Sequence, residues 1–405
     1  MASTLLRILL IHNFYGSSAP SGENQVFETE KNLLLQHGHE VEEFTRHSDE
    51  IRATGAIGIV KGALATPYNP FMARAIKKKV EQFKPDVVHV HNTFPLISPS
   101  IFSAIGQSAA RVLTLHNYRL LCPAAIPMRD GKVCTACLDL RSVWPAIRHG
   151  CYRNSRIATL PLAANVALHR ALGTWQHGVE AFIALTEFQR TTLVAAGLPG
   201  DKVYVKPNYF PGNPTVVPWP DRGTYAVFAG RLSAEKGVAT LVKAWSSWGA
   251  DAPELRIIGD GPLRGELEKA AAGTPIRFLG QLPADETIRQ IAHGRLQLLP
   301  SEWFETFGLA IVEAFAVGTP AAVSNIGPLP SIVKYGMNGV VFEAANPQSL
   351  LTTVRNAWRT PGLLEQLGAG ARQSFATLYT EDINYACLMD IYQQAIQRNA
   401  ALKTL

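Results

Sequence analysis

The chain has 405 residues, which is more than one hydrophobic core usually organises and predicts two domains of about 200 residues each. Its composition, 47% hydrophobic and 17% charged, excludes disordered, collagen-like and coiled-coil proteins. The net charge of +6 lies in the first half, because residues 1–205 carry 21 Lys and Arg against 15 Asp and Glu, whereas residues 206–405 carry 17 of each. This bias predicts that the first half meets an anionic partner: a membrane surface, a phosphorylated carrier or nucleic acid.

The apolar run at residues 5–11 is too short to span a bilayer, and it lacks the charged region and cleavage site of a signal peptide. We therefore expect a cytoplasmic protein. Two basic segments predict a peripheral contact with the inner face of the membrane, residues 74–79 and the group Arg148, Arg153 and Arg156. Cationic helices with an apolar side bind anionic lipid, and an ordinary solvated helix face is the alternative.

Short apolar runs alternate with longer helical stretches, a rhythm that predicts parallel sheets built from βαβ units. In the first half the runs are residues 7–11, 86–90, 111–115 and 181–185. They are followed at once by polar residues: His12, His91, His116 and Thr186. Because the carboxyl ends of parallel strands meet at one edge, we expect three histidines to line one cleft.

Five prolines between residues 207 and 220 predict a linker over residues 207–223, since neither a helix nor a central strand accepts them. The first domain is then residues 1–206. The rhythm restarts at residues 225–229, 255–258, 276–279, 296–299 and 321–323, which predicts a second doubly wound domain over residues 224–382. A final helix over residues 383–405 is expected to pack back on the first domain.

Residues 300–320 contain Glu305 and Glu313, eight residues apart. On one continuous helix the two carboxylates would point 80° apart, as follows from the helical repeat of about 3.6 residues per turn. We therefore expect Glu305 in a loop and Glu313 inside the helix that follows. The start of that helix, at Phe307, Gly308 and Leu309, would present free amide donors to a diphosphate. The carboxylates would then accept hydrogen bonds from sugar and ribose hydroxyls; solvated surface glutamates are the alternative.

Two glycine-containing turns follow strands of the second domain. The segment GRLSAEKG begins at Gly230 and places Arg231 and Lys236 at a strand end, where two cations neutralise a diphosphate. In IIGDGPLRG, the residues Gly259 and Gly261 do not form a dinucleotide fingerprint, because the spacing is GxGxxxG. A turn beside a nucleotide and a purely structural turn both fit this second segment.

Together, GRLSAEKG, IIGDGPL and PSEWFETFGLAIVEAFAVGTP resemble the retaining glycosyltransferases of family 4, which have the GT-B fold of two facing Rossmann-like domains. The resemblance implies an α/β chain with a nucleotide-sugar cleft between the domains. It implies a UDP- or GDP-sugar held by the C-terminal domain, an acceptor held mainly by the N-terminal domain, and no metal required for transfer. By position, Arg231 and Lys236 match the phosphate-binding pair, Glu305 the residue contacting the donor sugar, and Glu313 the residue contacting the ribose.

The first half matches the family more loosely. The loop from Gly16 to Gly22 corresponds to the family's glycine-containing loop, although it lacks an adjacent glycine pair, and a helix is expected to begin near Asn24. His116 resembles the family histidine near the reacting sugar. His91 and Asn117 are further candidate substrate contacts.

Four cysteines fall within 30 residues: Cys122, Cys134, Cys137 and Cys151. One Cys-x2-Cys pair with two flanking cysteines is typical of tetrahedral zinc, and it predicts a structural site in an insertion near residues 118–156. Reduced thiols in a hydrophobic patch are the first alternative. A disulfide is disfavoured in a reducing cytoplasm.

The sequence thus predicts a retaining, metal-independent glycosyltransferase that transfers a sugar to a hydroxyl of a saccharide or a lipid-linked acceptor, in bacterial cell-surface polysaccharide synthesis. Two alternatives share the fold: a catalytically silent, nucleotide-binding scaffold subunit of a polysaccharide assembly complex, and a sugar-nucleotide epimerase or phosphorylase. A nucleic-acid-binding protein is disfavoured, because no recognition motif or basic stripe with interleaved aromatics is present.

Overall fold

The computed structural model describes residues 5–16, 21–53 and 55–403. The chain divides into two compact units. The first comprises Met1–Pro127, Thr135–Pro207 and Asn384–Leu405. The second comprises Met128–Cys134 and Asn208–Ile383. Residues 128–134, which the sequence analysis placed in the first domain, belong by their contacts to the second unit.

Each unit is built on a six-stranded sheet, and every pairing within these two sheets is parallel. The strands, in chain order, are β1 (Arg7–Phe14), β2 (Glu40–His47), β3 (Val87–Asn92), β4 (Ala110–Thr114), β5 (Met128–Arg129), β6 (Lys132–Val133), β7 (Ala181–Ala184), β8 (Val203–Val205), β9 (Tyr225–Ala229), β10 (Glu254–Ile258), β11 (Ile276–Gly280), β12 (Leu296–Leu299), β13 (Ala321–Ser324) and β14 (Gly339–Phe342). The strand order is β2-β1-β3-β4-β7-β8 in the first unit and β11-β10-β9-β12-β13-β14 in the second, while β5 and β6 form a separate antiparallel hairpin.

Helices connect the strands of both sheets. Those of the first unit are α1 (Gly22–Gln36), α2 (Asp49–Ala53), α3 (Gly55–Ala65), α4 (Pro70–Phe83), α5 (Ile101–Ile105), α6 (Ala136–Asp139), α7 (Trp144–His149), α8 (Arg156–Ala171), α9 (Thr174–His177) and α10 (Glu187–Ala195). Those that follow are α11 (Val238–Trp248), α12 (Arg264–Ala270), α13 (Ala284–His293), α14 (Leu309–Ala316), α15 (Leu329–Ile332), α16 (Pro347–Arg359), α17 (Leu363–Leu378) and α18 (Glu381–Lys403). Across the described ranges, no helix has both the length and the apolar character that a bilayer crossing requires.

The predicted apolar runs coincide with strands, since a parallel sheet covered by helices buries both faces of its central strands. Two strands of the first unit extend further than expected. β1 reaches Phe14 and β3 reaches Asn92, so His12 and His91 lie inside strands rather than after them. The edge strand β2 was not predicted, because its sequence EVEEFTRH is largely polar and none of its residues is buried. The short strands β8 and β14 were also missed.

The final helix contributes to the core of the first unit. It begins at Glu381 rather than at residue 383, and its apolar side chains Leu388, Ile391 and Tyr392 are buried among those of β1, β3, β4 and β7. The Tyr392 hydroxyl also lies 2.7 Å from Nδ1 of His89 in β3. The C-terminal segment is therefore part of the first unit's structure.

A buried ion pair lies beneath the same sheet. The Lys206 ammonium donates to Glu30 Oε2 at 2.9 Å and to Asn384 Oδ1 at 3.0 Å. The side chains of Lys206 and Glu30 are 2% and 1% exposed. Because neither charge reaches water, removal of one partner would leave the other as an uncompensated buried charge. The cation also lowers the pKa of Glu30 well below its usual range, against the opposing effect of burial.

We expect Glu30→Ala to lower the free energy of unfolding of the first unit by about 3 to 5 kcal/mol, because it leaves the Lys206 ammonium buried without its counter-charge. Chemical unfolding of both proteins measures the change. The matched control is Glu40→Gln, which breaks the exposed Arg7–Glu40 pair and should cost less than about 1 kcal/mol. Equal effects of the two substitutions would contradict the assignment.

Candidate functional site

The second unit brings two of the predicted residues into direct contact. The Lys236 ammonium donates to Glu305 Oε1 at 2.7 Å, and the Ser301 hydroxyl donates to the same oxygen at 2.6 Å. The Glu305 side chain is 7% exposed, whereas that of Lys236 is half-buried and lies 5.6 Å from the centre of the Trp303 ring. The result is a cation held at the carboxyl end of the sheet by a fixed carboxylate.

A close backbone approach places these residues together. The loop after β9 carries Lys236, and the loop after β12 carries Glu305. Gly237 adopts φ +65°, and a Cβ there would lie 1.8 Å from the Pro300 carbonyl oxygen. The Glu302 amide donates to the Glu235 carbonyl at 2.9 Å, which ties the two loops. Only glycine meets both requirements at position 237, so the sequence EKG is part of the site's geometry.

The turn after β10, in the segment IIGDGPLRG, is joined in the same way to the turn after β9, in the segment GRLSAEKG. The Gly230 amide donates to the Ile258 carbonyl at 3.0 Å, and the Leu232 amide donates to the Asp260 carbonyl at 2.9 Å. Gly259 has φ +130°, and a Cβ on it would lie 2.0 Å from the Gly230 carbonyl oxygen. Gly230, Gly259 and Gly261 therefore hold the two turns against each other. Arg231, between them in this arrangement, is exposed.

The expected division between the two glutamates is observed. Glu305 lies in the loop, and Glu313 lies inside α14, which begins at Leu309 directly after Gly308. Phe307 is buried beside this start. Burial raises the pKa of Glu313 to about 7, because a carboxylate without a nearby cation is poorly solvated there. Glu313 is therefore a desolvated hydrogen-bonding group within α14, whereas Lys236 and Glu305 lie in the loops that follow β9 and β12.

The first unit brings three histidines together. Nδ1 of His91 and Nε2 of His116 lie 3.0 Å apart, and the rings of His12 and His91 are 6.3 Å apart. Burial lowers the pKa of His12 to about 3 and that of His91 to about 4, and it lowers the pKa of His116 well below its usual range. All three are therefore neutral near pH 7, and each can accept a hydrogen bond through one nitrogen and donate through the other.

A cavity of about 50 Å³ lies at this edge of the first unit. Polar groups of its lining come from His91, His116, Asn117 and Arg119, and Trp175 and Phe102 supply apolar walls. The Arg119 guanidinium stacks over the Phe94 ring at 4.0 Å. The lining therefore combines hydrogen-bonding groups with apolar aromatic faces.

Glu23 is a residue that the sequence analysis missed. Its Oε2 accepts from Asn117 Nδ2 at 3.5 Å, and its Oε1 is buried without a hydrogen-bond partner among the described residues. Burial raises the pKa of Glu23 to about 8, while the charge of Arg119 acts in the opposite direction. Glu23 lies at the start of α1, which begins at Gly22, two residues before Asn24 and so close to the predicted start, and is capped by the Ser21 side chain. Gly16 follows β1, and residues 17–20 of the predicted loop lie outside the described residues.

The sequence could have signalled Ser301 but not the partners of Glu23. Ser301 lies within the predicted motif, four residues before Glu305, so a hydrogen bond to it was open to prediction. Asn117 and Arg119 are more than 90 residues from Glu23 in the chain, and only the folded sheet brings them close.

The four clustered cysteines are not joined in disulfide bonds. Cys122 and Cys137 are buried, and Cys134 and Cys151 are half-buried. Burial raises the pKa of the Cys122 thiol to about 12, with smaller contributions from Cys137 and Cys151. Asp130 and Gly131 both have positive φ, so the hairpin β5–β6 has the tight turn expected for the segment RDGK.

No three of the four cysteine sulfurs lie within 4.8 Å of one another, and among the described residues the potential metal ligands that do come together lie in the core of the first unit. Ligand atoms of Glu30, His89 and His91 are within 4.8 Å of one another. Nε2 of His89 also lies 2.7 Å from the Thr114 hydroxyl. Because the Lys206 ammonium already supplies a positive charge to Glu30, we assign this group to the buried polar core and no metal to it.

Two family models match the chain in succession. The model described as Glycosyltransferase Family 4 matches residues 21–210, and the model described as Glycosyl transferases group 1 matches residues 213–374. Sulfoquinovosyl transferase SQD2 of Arabidopsis thaliana is 25% identical over 375 residues, which is 87% of this chain and 67% of that protein. A D-inositol 3-phosphate glycosyltransferase of Catenulispora acidiphila is 27% identical over 355 residues, 83% of this chain and 78% of that protein.

Solved structures agree on the fold. Sucrose-phosphate synthase from Thermosynechococcus elongatus superposes with a TM-score of 0.68 at 16% identity, covering 97% of this chain and 99% of that one. HepE of Anabaena, solved in complex with UDP and glucose, gives a TM-score of 0.62 at 18% identity over 99% of this chain and 100% of that one. With its two parallel-sheet units and two glycosyltransferase family models matched in succession, the chain is a GT-B glycosyltransferase similar to those of family 4.

Proposed function

We propose that the protein transfers a sugar from a UDP- or GDP-sugar to a hydroxyl of a saccharide or lipid-linked acceptor, with retention of the anomeric configuration. The observation that carries this proposal is the Lys236–Glu305 pair, fixed by Ser301. A cation held by a buried carboxylate is poised for a departing diphosphate and is prevented from turning into solvent. The relatives named above support the class of reaction.

The chemistry follows from where charge develops. When the bond from the sugar to the diphosphate breaks, negative charge grows on the leaving oxygen, and fixed positive groups lower the barrier. Lys236 and Arg231 supply full charges, and the amides at the start of α14, near Gly308, supply partial ones. Glu313 would accept hydrogen bonds from the ribose hydroxyls, and Glu305 would accept one from the donor sugar.

The first unit would supply the acceptor's contacts. His116 and Asn117 line its cavity beside His91, and the neutral imidazole of His116 suits it to position a hydroxyl. We assign His116 no obligatory role as a base, because in the proposed retaining reaction the departing phosphate takes the acceptor's proton. The basic surface of this unit favours an acceptor at an anionic membrane, in bacterial cell-surface polysaccharide synthesis.

Donor binding tests the proposal first. Thermal melting of the protein with UDP, GDP, ADP and CDP should show a selective rise with UDP or GDP, since a ligand that binds only the folded state stabilises it. Incubation with the matching sugar nucleotides and a saccharide panel, followed by NMR of the new anomeric proton, tests transfer and retention. If none of the four diphosphates raised the melting temperature, the proposed donor site would be wrong. A product with inverted anomeric configuration would contradict retention.

The spacing of the cysteines supports a second, separate proposal: that Cys122, Cys134, Cys137 and Cys151 hold a structural zinc ion that takes no part in transfer. We expect elemental analysis to find one zinc per chain. A chelator should lower the melting temperature while leaving the nucleotide-induced rise in place, because only folding depends on the ion. Cys134→Ser/Cys137→Ser should remove the zinc, and Cys387→Ser is the matched control. A full zinc content in the double variant would contradict the assignment.

A further inference from the structure

Helix α3 buries glycines and exposes large apolar side chains, which is the reverse of the usual arrangement. Gly58 and Gly62 are buried, and a Cβ on Gly62 would lie 2.9 Å from Cδ1 of Ile51 in α2. The glycines therefore form the face that packs against the protein. A helix of a water-soluble domain ordinarily buries its large apolar residues and exposes polar ones. In α3 the close packing of the glycines turns the side chains of Ile59, Val60 and Leu64 outward.

The outward side chains continue past the end of α3. They are exposed by 63% at Ile59, 59% at Val60, 75% at Leu64, 45% at Tyr68 and 72% at Phe71. Single exposed apolar residues are common on proteins, but five within 13 residues of chain are not. The connection between α3 and α4 is held in place, because Asn165 donates to the Thr66 carbonyl at 2.6 Å and His169 Nε2 lies 2.9 Å from the Pro67 carbonyl.

The charge of this segment has one sign. Residues 51–80 contain six Lys and Arg and no Asp or Glu. In α4, the apolar residues Ile76, Val80 and Phe83 are buried in the unit, and Arg74, Lys77 and Lys78 are exposed. Arg74 and Lys78 lie three and seven residues after the exposed Phe71, so they share its face of α4. Cations beside an exposed apolar side chain match a surface with anionic groups outside and hydrocarbon beneath.

We propose that this surface, formed by Ile59, Val60, Leu64, Tyr68 and Phe71 with the flanking cations Lys61, Arg74, Lys77 and Lys78, inserts into the headgroup region of an anionic bilayer. The inference deepens the membrane contact of the proposed function by naming the face that makes it. A second copy of the chain fits less well, because a two-fold pairing would set the two groups of cations against each other. The apolar residues supply burial, and the cations supply attraction to lipid phosphates.

Co-sedimentation with extruded vesicles tests the inference without donor or acceptor, so its result is independent of transfer activity. We expect the protein to sediment with phosphatidylcholine vesicles containing about 30 mol% phosphatidylglycerol and not with phosphatidylcholine alone. Leu64→Ser/Phe71→Ser and Lys77→Gln/Lys78→Gln should each weaken binding by about tenfold or more. Matched controls are Leu35→Ser, exposed on α1, and Lys243→Gln/Lys269→Gln, exposed on α11 and α12; both should bind as the parent does.

Insertion has its own readout. Phe71→Trp should show a blue-shifted emission on anionic vesicles, because the indole leaves water. Absence of sedimentation with both vesicles, or full binding by Leu64→Ser/Phe71→Ser, would overturn the proposal. If the parent were dimeric by light scattering and Leu64→Ser/Phe71→Ser made it monomeric, the surface would be a dimer interface and the proposal would be wrong. Unchanged melting temperatures establish that the variants are folded.

Discussion

Lys236→Ala should lower kcat by about 10²- to 10³-fold, the usual consequence of removing one group that stabilises developing negative charge. The expectation follows from its 2.7 Å contact with Glu305, which fixes the ammonium in the position proposed for the leaving diphosphate. Binding of the free nucleotide should fall less than turnover, because the charge on the diphosphate grows as the bond to the sugar breaks. Steady-state kinetics and calorimetry on the same preparations separate the two quantities.

The matched control is Lys243→Ala, which removes an exposed ammonium from α11, seven residues further along the chain. It should leave kcat within about twofold of the parent, since a distant, solvated charge contributes little. A Lys236→Ala enzyme with normal kcat would remove this residue from the leaving-group site. An equal loss of kcat and of nucleotide affinity would assign it to general donor binding.

Nucleotide affinity should depend on pH through Glu313. Burial raises the pKa of this carboxyl to about 7, and only the ionised form accepts hydrogen bonds from both ribose hydroxyls through both oxygens. Protonation therefore opposes binding, and the Kd should rise by about tenfold for each pH unit below that pKa. Above about pH 8 the group is fully ionised and the Kd should level off. Calorimetric titration of the nucleotide between about pH 5.5 and 8.5 follows the change.

Glu313→Gln should flatten this curve and raise the Kd at high pH by about 10- to 100-fold, which corresponds to the loss of charge-assisted hydrogen bonds worth about 1.5 to 3 kcal/mol. The control is Glu365→Gln, an exposed residue of α17, which should keep the parent's curve. A Glu313→Gln protein with the parent's pH dependence would show that another group titrates.

The sequence predicts best where a local pattern decides the outcome. Continuous apolar runs located the central strands, and the spacing of Glu305 and Glu313 placed one in a loop and the other in α14. Strand ends predicted the meeting of His91 and His116. The polar edge strand β2 was not predicted, because an edge strand needs little burial and its pairing with β1 is not encoded in its own composition.

Long-range polar contacts could not be predicted from the sequence for a different reason. Glu30 and Lys206 are 176 residues apart, and no periodicity or motif links them. The orientation of α3 was equally hidden, because its apolar sequence favours burial, whereas the packing of Gly62 against Ile51 decides which side faces out. Local patterns determine the elements, and the choice among packing partners is made by the assembled unit.

The position of α18 has a consequence for how the protein forms. Leu388, Ile391 and Tyr392 complete the core beneath β1, β3 and β4, yet they are synthesised after the whole second sheet. During translation the first sheet emerges with that part of its apolar surface uncovered, and it waits for about 200 further residues to leave the ribosome. The second sheet, whose strands β9–β14 follow one another without interruption, can close first. Chaperone demand during synthesis would therefore fall on the half of the molecule that is made first.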